Sequence, residues 1–510
     1  MSVMTLPANL DHLTADELRE LVRQQAEVIT RNDQELNWRQ TKIDKLTHEV
    51  AYYKRHYFGV KAEHLPVEQG QLFEETLAAD MAAMTEELAQ LSETKPKGQA
   101  TRKPLPTELP RTEIHHEPES TTCACGCQLK RIGEDVAEKL DYTPGTFTVE
   151  RHIRGKWACA QCETLIQAPV PAHVIDKGIP TTGLLAHVLI AKYLDHLPLY
   201  RQEGIFGRAG LPIPQSTLAE WVGKMGVTLQ PVVDALKEEM LTYPVLHADE
   251  TPVAMLDPGA GKTHRAYLWS YSIGAFEPVK AVVYDFADSR AGKHVREFLG
   301  EWRGTLVCDD YAGYKALIAD GVTEAGCMAH ARRKFFDLHA NNQSQIAQQA
   351  LTSIQKLYQT EREVAELDPD ERRRIRQAQA KPILDEFHDW LTRHRQQVPN
   401  GSSTAKAIDY SLKRWKALVH YLDDGQVPID NNWIENRIRP IATGRKNWLF
   451  AGSLRAGKRA AAIMSLIQSA KLNGHDPFLY LKDILSRLPT QPNSRIGELL
   501  PYRWKPEISA

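Results

Sequence analysis

The sequence predicts a multidomain protein built around a mixed α/β core. Residues 243–310 contain three strand-like segments, a helix and a fourth strand, a succession typical of a mixed sheet. Residues 13–58 carry an apolar residue at every seventh position, which indicates one long helix. Two cysteine groups, Cys123–Cys127 and Cys159–Cys162, are close enough in sequence to form a zinc ribbon.

The composition is that of an ordinary folded protein. The chain has 510 residues, a net charge of −2 and 25% charged residues, which excludes collagen-like, mucin-like and disordered classes. At roughly 150 residues per domain, several domains are expected. No segment approaches the ~20 apolar residues of a membrane span, and the first residues do not resemble a secretory signal. We therefore expect a cytoplasmic protein with no membrane partner.

The first predicted domain, residues 1–60, is a leucine-zipper helix that begins with Thr14 and Glu17 at capping-box spacing. A heptad repeat of this length predicts a coiled coil, and hence a homo-oligomer, in which Asn32 sets the register. A helix that packs on its own chain is the alternative. The apolar seam consists of Val22, Ile29, Leu36, Ile43, Val50 and Tyr57, and the mixed companion seam of Leu18, Gln25, Asn32, Arg39, Leu46 and Tyr53.

Residues 61–114 are predicted to be a linker. Residues 63–93 are acidic, and a proline-rich basic stretch, Lys95–Lys103, follows them. Such a stretch is typical of a solvated tether, although it also suits contact with phosphate.

Residues 115–172 are predicted to form a zinc-ribbon DNA-binding domain, with a strand over residues 146–153. Cys159 and Cys162 form one natural pair of ligands. The second pair is predicted as Cys123 with Cys127, because this spacing leaves more room, and Cys125 remains the alternative to one of them. Ordinary free thiols are the other interpretation.

Residues 173–240 are predicted to be helical. A helix over 199–208, a Gly210–Pro214 turn and a helix capped by Ser216 give the outline of a helix-turn-helix DNA-binding region. Two helices packed together without a DNA contact give the same pattern.

The predicted core comprises residues 241–342 and 429–475, interrupted by a helical insertion over 343–428 and followed by a C-terminal helix and tail over 476–510. The pattern of apolar residues predicts helices near 431–437, 455–472 and 476–487.

Three carboxylates in this core are candidate ligands. Asp249 and Asp309 end the first and fourth predicted strands, and Glu435 stands at a predicted helix start. Together they suit two Mg²⁺ ions about 3.5–4 Å apart, which would activate an attacking water or hydroxyl in phosphoryl transfer. Side chains alternate along a strand, so spacing does not choose between Asp249 and Glu250, or between Asp309 and Asp310. Solvated or helix-capping acids are the alternative.

A basic stretch follows Glu435. Residues 436–474 contain no acid, and Trp448 and Phe450 are interleaved with the bases, which suits a DNA backbone beside the carboxylates. A solvated basic face is the alternative. The predicted DNA-binding residues are Arg332, Arg333, Lys334, Arg437, Arg439, Arg445, Lys446, Arg455, Lys458 and Arg459.

Several motifs resemble those of transposases of the insertion sequence 66 family, and the resemblance covers essentially the whole chain. The most specific motif is residues 429–453, which resembles the C-terminal catalytic signature of the family. The other motifs are His247–Thr251, Cys308–Tyr314, Gly326–Phe335 and Phe58–Leu65, together with the ribbon and the zipper.

The resemblance implies a DDE transposase with an RNase H-like core. It implies that Asp249, Asp309 and Glu435 are the catalytic triad, and it selects Asp309 over Asp310. Such an enzyme uses Mg²⁺ or Mn²⁺ to nick transposon ends and to join the 3′ hydroxyl to target DNA, while zinc is structural. The implied partners are double-stranded DNA, a second copy of the chain and accessory proteins of the same element, in a bacterial cytoplasm.

The chain departs from the family pattern in few places. Its first cysteine group is Cys-Ala-Cys-Gly-Cys, where the family often has two cysteines separated by two residues. Val60 and Ala62 replace residues that tend to be more polar. Cys327 and His330 have metal-like spacing but supply only half a site. Assisting roles are assigned to Glu250, Asp310 and Asn431.

Two other functions fit the same residues. One is a non-catalytic, zinc-containing DNA-binding regulator, against which the acid triad argues. The other is a metal nuclease that hydrolyses DNA without joining it, and only product analysis separates it from a transposase.

Overall fold

A computed structural model describes most of the chain. The described residues are 14–59, 67–91, 105–118, 120–143, 145–175, 178–257 and 262–506. The chain divides into two compact units, one of Met1–Ala62 with Met81–Arg102 and one of Glu63–Asp80 with Lys103–Ala510. The basic stretch Lys95–Lys103 lies outside the described residues. So do Val60, Ala62 and most of the Phe58–Leu65 motif. No helix in the described ranges is long and apolar enough to cross a membrane.

The first unit contains the long helix α1 (Ala15–Gly59), as predicted. The predicted apolar seam of this helix is open to solvent at Val22, Ile29 and Leu36, which are 66%, 57% and 62% exposed. Leu46 of the companion seam is 3% exposed. The side chains of Glu17, Tyr53 and Tyr57 lie outside the described residues, so the predicted capping box is not tested.

Helix α2 (Val67–Leu91) corrects the prediction that residues 61–114 are a linker. The acidic residues of this segment suggested solvation. Instead, Glu75 and Asp80 are buried in the second unit, where each forms an ion pair with a cation from a later element. Buried acids with partners belong to a packed helix and not to a tether.

A four-stranded sheet follows. The long strands β2 and β3 form an antiparallel hairpin around Gly145, which has a φ of +88° that favours glycine. The register pairs Leu129 with Cys159, so the first cysteine group lies beside the second. The strands are β1 (Arg111–His116), β2 (Leu129–Thr143), β3 (Thr146–Cys159) and β4 (Leu165–Gln167).

Three helices follow: α3 (Thr182–Tyr193), α4 (Leu199–Arg208) and α5 (Gln215–Met240). Most of their buried residues belong to the main hydrophobic cluster of the second unit. Helix α5 follows Pro214, so it begins one residue before the predicted cap Ser216. Its apolar face is buried in the main hydrophobic cluster, and its exposed positions include Glu220 and Asp234. This arrangement favours the interpretation of packed helices over a DNA recognition helix.

The core sheet has the strand order β7-β6-β5-β8-β9. Strands β5, β6 and β7 are antiparallel neighbours, and β8 and β9 run parallel to β5. The four predicted strands are present, and β9 is an additional one. The elements are β5 (Val245–Asp257), β6 (Lys262–Ile273), β7 (Val282–Ala287), α6 (Lys293–Leu299), β8 (Thr305–Cys308), α7 (Lys315–Ala319) and β9 (Thr323–Gly326).

Residues 328–419 are helical and share a second hydrophobic cluster with the ends of β8 and β9. A π turn lies among these helices at 376–380. Short 3₁₀ turns lie elsewhere in the chain, at 312–314, 420–422 and 493–499. The helices are α8 (Met328–Asn342), α9 (Gln345–Val364), α10 (Pro369–Ile375), α11 (Lys381–Gln397), α12 (Ser403–Lys413) and α13 (Trp415–Val419).

The last helices return to the core sheet: α14 (Asn432–Trp448), α15 (Leu454–Leu472) and α16 (Pro477–Arg487). Helix α14 continues through Pro440 to Trp448, well beyond the predicted helix near 431–437. Helix α15 covers the edge strand β7, because the hydroxyl oxygens of Ser465 and Ser469 accept hydrogen bonds from the backbone of Tyr284 and Val282 at 2.8 and 3.0 Å.

Candidate functional site

Asp249 and Asp309 lie where strands β5 and β8 separate. The parallel pairing of these strands ends at His247 with Val307, and Asp309 directly follows β8. The sequence predicted Asp249 at the end of its strand. This is wrong, because β5 continues to Asp257 and is paired with β6 over that length. The site is therefore built along one strand and at the end of its neighbour.

Asn431 holds the start of α14 against β5. Its side-chain oxygen lies 2.7 Å from His247 Nδ1, its amide nitrogen donates to the Ala248 carbonyl at 2.9 Å, and its backbone N–H donates to Cys327 Sγ at 3.2 Å. Asn431 is 1% exposed. Because these bonds fix the first turn of α14, they also fix Glu435, which belongs to that turn.

The three candidate carboxylates act on one another. The pKa of Asp249 is raised to about 8, mainly by burial and further by the nearby charges of Glu250, Asp309 and Glu435. Crowded carboxylates of this kind are favourable when a divalent cation neutralises them. Carboxylate oxygens are the donors that a hard metal ion prefers. In the described part of the chain, however, this trio is not among the groups whose ligand atoms all lie within 4.8 Å of one another.

The neighbouring acids are paired with other groups. Glu250 accepts hydrogen bonds from Arg290 Nε at 2.6 Å and from the Tyr314 hydroxyl at 2.9 Å. Asp310 pairs with Arg414 Nη1 at 2.6 Å. Side-chain alternation thus gives the members of each adjacent pair different surroundings, as expected.

Arg290 is a residue that the sequence analysis missed. It bridges Glu250 and Asp309, with its Nη2 at 4.0 Å from Asp309 Oδ2, and its guanidinium lies 3.9 Å from the ring centre of Tyr311. Arg290 precedes a short helix in a loop with no recognisable motif, so only the folded structure reveals its place.

Of the predicted DNA-binding residues, six are exposed: Arg332, Arg333, Lys334, Arg439, Lys446 and Lys458. Arg455 is partly exposed. Arg437 is half-buried and stacks on the Trp433 ring at 3.7 Å, and Arg445 donates to the Pro252 carbonyl at 2.5 Å. These two arginines contribute to packing around the site.

Arg459 requires a correction. It is 8% exposed and forms an ion pair with Asp80 of α2, with 3.0 Å between Nη2 and Oδ1. Since DNA cannot reach a buried, paired guanidinium, Arg459 is removed from the predicted phosphate-binding set. The basic stretch in the sequence did not distinguish it from its exposed neighbours.

The cysteine cluster also requires a correction. Sulfur atoms of Cys123, Cys125, Cys159 and Cys162 lie within 4.8 Å of one another. Cys127, which was preferred from spacing, instead donates to Gln161 Oε1 at 2.8 Å. The chain turns sharply at Gly126, whose φ is +82°, and Cys125, the alternative ligand, joins the group.

The four sulfurs fit zinc. The Sγ–Sγ distances are 3.2 Å for Cys123–Cys162 and 3.7 Å from Cys125 to both Cys159 and Cys162. Tetrahedral zinc with Zn–S bonds of about 2.3 Å places its sulfurs roughly 3.8 Å apart. A hydrogen bond with Thr164 is the main factor that lowers the pKa of Cys162 to about 6, which favours a thiolate ligand.

Comparison with protein families covers most of the chain. The model of the IS66 family of transposases matches residues 177–459, more than half of the sequence. The chain belongs to the IS66 transposase family. The other matches are the IS66 C-terminal element at 465–502, the zinc-finger binding domain of IS66 transposases at 120–163, and a model described as "Transposase C of IS166 homeodomain" at 45–114.

This IS66-family chain is also similar to proteins of Sinorhizobium fredii (strain NBRC 101917 / NGR234) that are described as uncharacterized. The protein y4qI is 36% identical over 485 residues, which cover 91% of this chain and 90% of y4qI. The protein y4hP is 34% identical over 492 residues, covering 91% and 88% respectively. The protein y4jD is 36% identical over 419 residues, covering 79% and 81%.

Family membership gives the general function. An IS66-family transposase with a zinc-finger domain acts on DNA, and the cysteine cluster lies within the matched zinc-finger region. The described helices add no membrane-spanning segment.

Proposed function

We propose that this protein is a DDE transposase with an RNase H-like core, which cuts the ends of its element and joins them to target DNA. The observation that carries the proposal is the placement of the three acids on adjoining elements: Asp249 lies on β5, Asp309 directly follows the neighbouring strand β8, and Glu435 lies in the first turn of α14, which Asn431 holds against β5. The mixed sheet, with two parallel strands beside an antiparallel meander, supports a core formed by 241–342 and 429–475 with 343–428 inserted.

Asp249, Asp309 and Glu435 would hold the Mg²⁺ or Mn²⁺ ions. When bound, such ions activate an attacking water or 3′ hydroxyl and stabilise the leaving oxygen. The rest of the chain orients these acids. Asn431 fixes the helix that carries Glu435, and the Arg290 guanidinium offsets part of the local negative charge beside Asp309.

DNA would lie along the exposed bases near the carboxylates. Helix α8 presents Arg332, Arg333 and Lys334, while α14 and α15 present Arg439, Lys446 and Lys458. Phosphate contacts of this kind position DNA without reading its sequence. The zinc ribbon would supply a further DNA contact, held in shape by a structural Zn²⁺ ion.

The proposal is tested with the full chain, double-stranded DNA carrying the terminal repeats that flank its gene, and Mg²⁺ or Mn²⁺. We expect nicked ends with free 3′ hydroxyls, followed by products joined to a target duplex. Hydrolysis without joined product would indicate a nuclease, and binding without cleavage would indicate a regulator. Either result would overturn the proposal.

Zinc content tests the ligand set of the ribbon. Replacing Cys125 with Ser is expected to remove about one zinc ion per chain, because it leaves only three sulfur ligands. Cys127→Ser, the matched control two residues away, should retain zinc because its sulfur bonds to Gln161. Elemental analysis of reduced protein measures both. Zinc loss in Cys127→Ser with retention in Cys125→Ser would reverse the assignment.

Self-association through α1 is the second part of the proposal. The seam of Val22, Ile29 and Leu36 has heptad spacing and is exposed within its own unit, and a second copy of the same helix offers a matching seam. The protein would thereby form a homo-oligomer. A second class of proposed partner is the accessory proteins of the same element. This part of the proposal rests on the family resemblance alone.

Leu36→Asp is expected to weaken self-association by roughly a hundredfold, because each buried leucine contributes about 1.5–3 kcal/mol and a charge would replace it. Asn37→Asp places the same side chain one position away from the seam and should leave association unchanged. Sedimentation equilibrium over a range of concentrations measures both. A wild-type protein that stays monomeric at high concentration would contradict the coiled coil.

A further inference from the structure

Cys327, His330 and Glu435 form a second group of candidate metal ligands, distinct from the ribbon. One ligand atom of each lies within 4.8 Å of the others. Cys327 directly precedes α8, His330 lies in the first turn of that helix, and Glu435 comes from the first turn of α14. We propose that these three side chains bind one Zn²⁺ ion.

Two buried atoms of this group lack hydrogen bonds. Within the described part of the chain, His330 Nδ1 and Glu435 Oε1 are buried without a hydrogen-bond partner and face each other at 3.7 Å. A buried polar atom without a hydrogen-bond partner destabilises the folded state. Nitrogen and oxygen ligands of a tetrahedral zinc ion lie roughly 3.3 Å apart, so a bound ion would satisfy both atoms after a small adjustment.

The third ligand is a buried sulfur. Cys327 is fully buried, and its Sγ accepts a hydrogen bond from the backbone N–H of Asn431 at 3.2 Å. Burial raises the pKa of the Cys327 thiol to about 12, so the sulfur carries a proton when no metal is bound. Zinc binding would release the thiol proton to solvent as the Zn–S bond forms.

The mixture of donors identifies the ion. Sulfur, imidazole and carboxylate together favour zinc, whereas Mg²⁺ prefers oxygen donors alone. Three protein ligands would leave a fourth coordination position open. Glu435 Oε2 lies 3.8 Å from Arg333 Nη2, outside the group, so zinc at Oε1 would orient the carboxylate without using both of its oxygens.

Zinc stoichiometry of the full chain, purified reduced and without chelator, tests the site. We expect about two zinc ions per wild-type chain and about one in Cys327→Ser and in His330→Asn. Cys308→Ser is the matched control, because Cys308 is equally buried but belongs to neither ligand group, and it should retain both ions. Cys159→Ser should lose only the ribbon ion.

About one zinc ion per wild-type chain would overturn the second site, as would two ions in both Cys327→Ser and His330→Asn. If circular dichroism shows that Cys327→Ser fails to fold, the His330→Asn value decides between one ion and two. The measurement uses no DNA. A chain that holds two zinc ions but joins no DNA ends would therefore contradict the proposed transposase chemistry and leave this site intact.

Discussion

Glu435→Gln is expected to abolish DNA cleavage and joining while leaving the fold and end binding intact. The amide keeps the size of the side chain but is a much poorer ligand for a divalent cation. Metal stabilisation of a transition state is worth several kcal/mol, and each 1.36 kcal/mol is a factor of ten, so the rate should fall by at least about 10³-fold. Asp249→Asn and Asp309→Asn should have similar effects.

Asp310→Asn is the matched control for Asp309→Asn. The sequence suggested an assisting role for Asp310, the adjacent acid, but its side chain instead forms an ion pair with Arg414 at 2.6 Å. The asparagine oxygen can still accept that hydrogen bond, so cleavage should proceed near the wild-type rate. Gel assays of end cleavage and joining with Mg²⁺ measure these rates. Normal joining by Glu435→Gln, or equal losses in Asp309→Asn and Asp310→Asn, would contradict the assignment.

The sequence allowed much of the fold to be predicted, because the signals are local. The heptads of α1 and the apolar runs of β5 to β8 give each element a period that does not depend on its neighbours. The short strand β9 was missed because four residues between turns carry no such period. Helix α14 was predicted only near 431–437, although the packing of Ile438 and Ile441 sustains the helix through Pro440.

Residues brought together by the fold were harder to predict. Arg290 lies far from Glu250 and Asp309 in sequence, and no motif marks its loop. Cys125 was ranked below Cys127 because spacing gives the room between ligands but not the turn at Gly126 that directs each sulfur. In each case the deciding factor is a tertiary contact or a backbone turn.

The acidic composition of the segment before residue 93 was misleading for a related reason. A carboxylate in an isolated sequence is assigned to solvent, since acids are seldom fully buried without a partner. Here the partners are supplied from distant positions, by Lys192 for Glu75 and by Arg459 for Asp80. The pairing therefore makes α2 part of the second unit up to residue 80.

Asp80→Ala is accordingly expected to destabilise the second unit by about 3–5 kcal/mol, because it leaves the Arg459 guanidinium buried and unpaired. Asp80 is 1% exposed, pairs with Arg459 at 3.0 Å and also accepts a hydrogen bond from Ser453, the N-cap of α15. Asp370→Ala removes an exposed acid that pairs with Arg373 at 3.3 Å, and it should cost less than about 1 kcal/mol.

The double variant Asp80→Leu, Arg459→Met removes both charges at once. It therefore shows how much of the destabilisation by Asp80→Ala comes from the unpaired Arg459 charge and how much from weaker packing of α2. Apolar residues of similar size often replace a buried ion pair at little cost, so the double variant should be more stable than either single variant. The two single variants are Asp80→Leu and Arg459→Met. Urea unfolding of these two, the double variant and the wild type gives the coupling free energy. Additive losses would mean that the two charges do not stabilise each other, and a wild-type midpoint for Asp80→Ala would show that α2 does not depend on this pair.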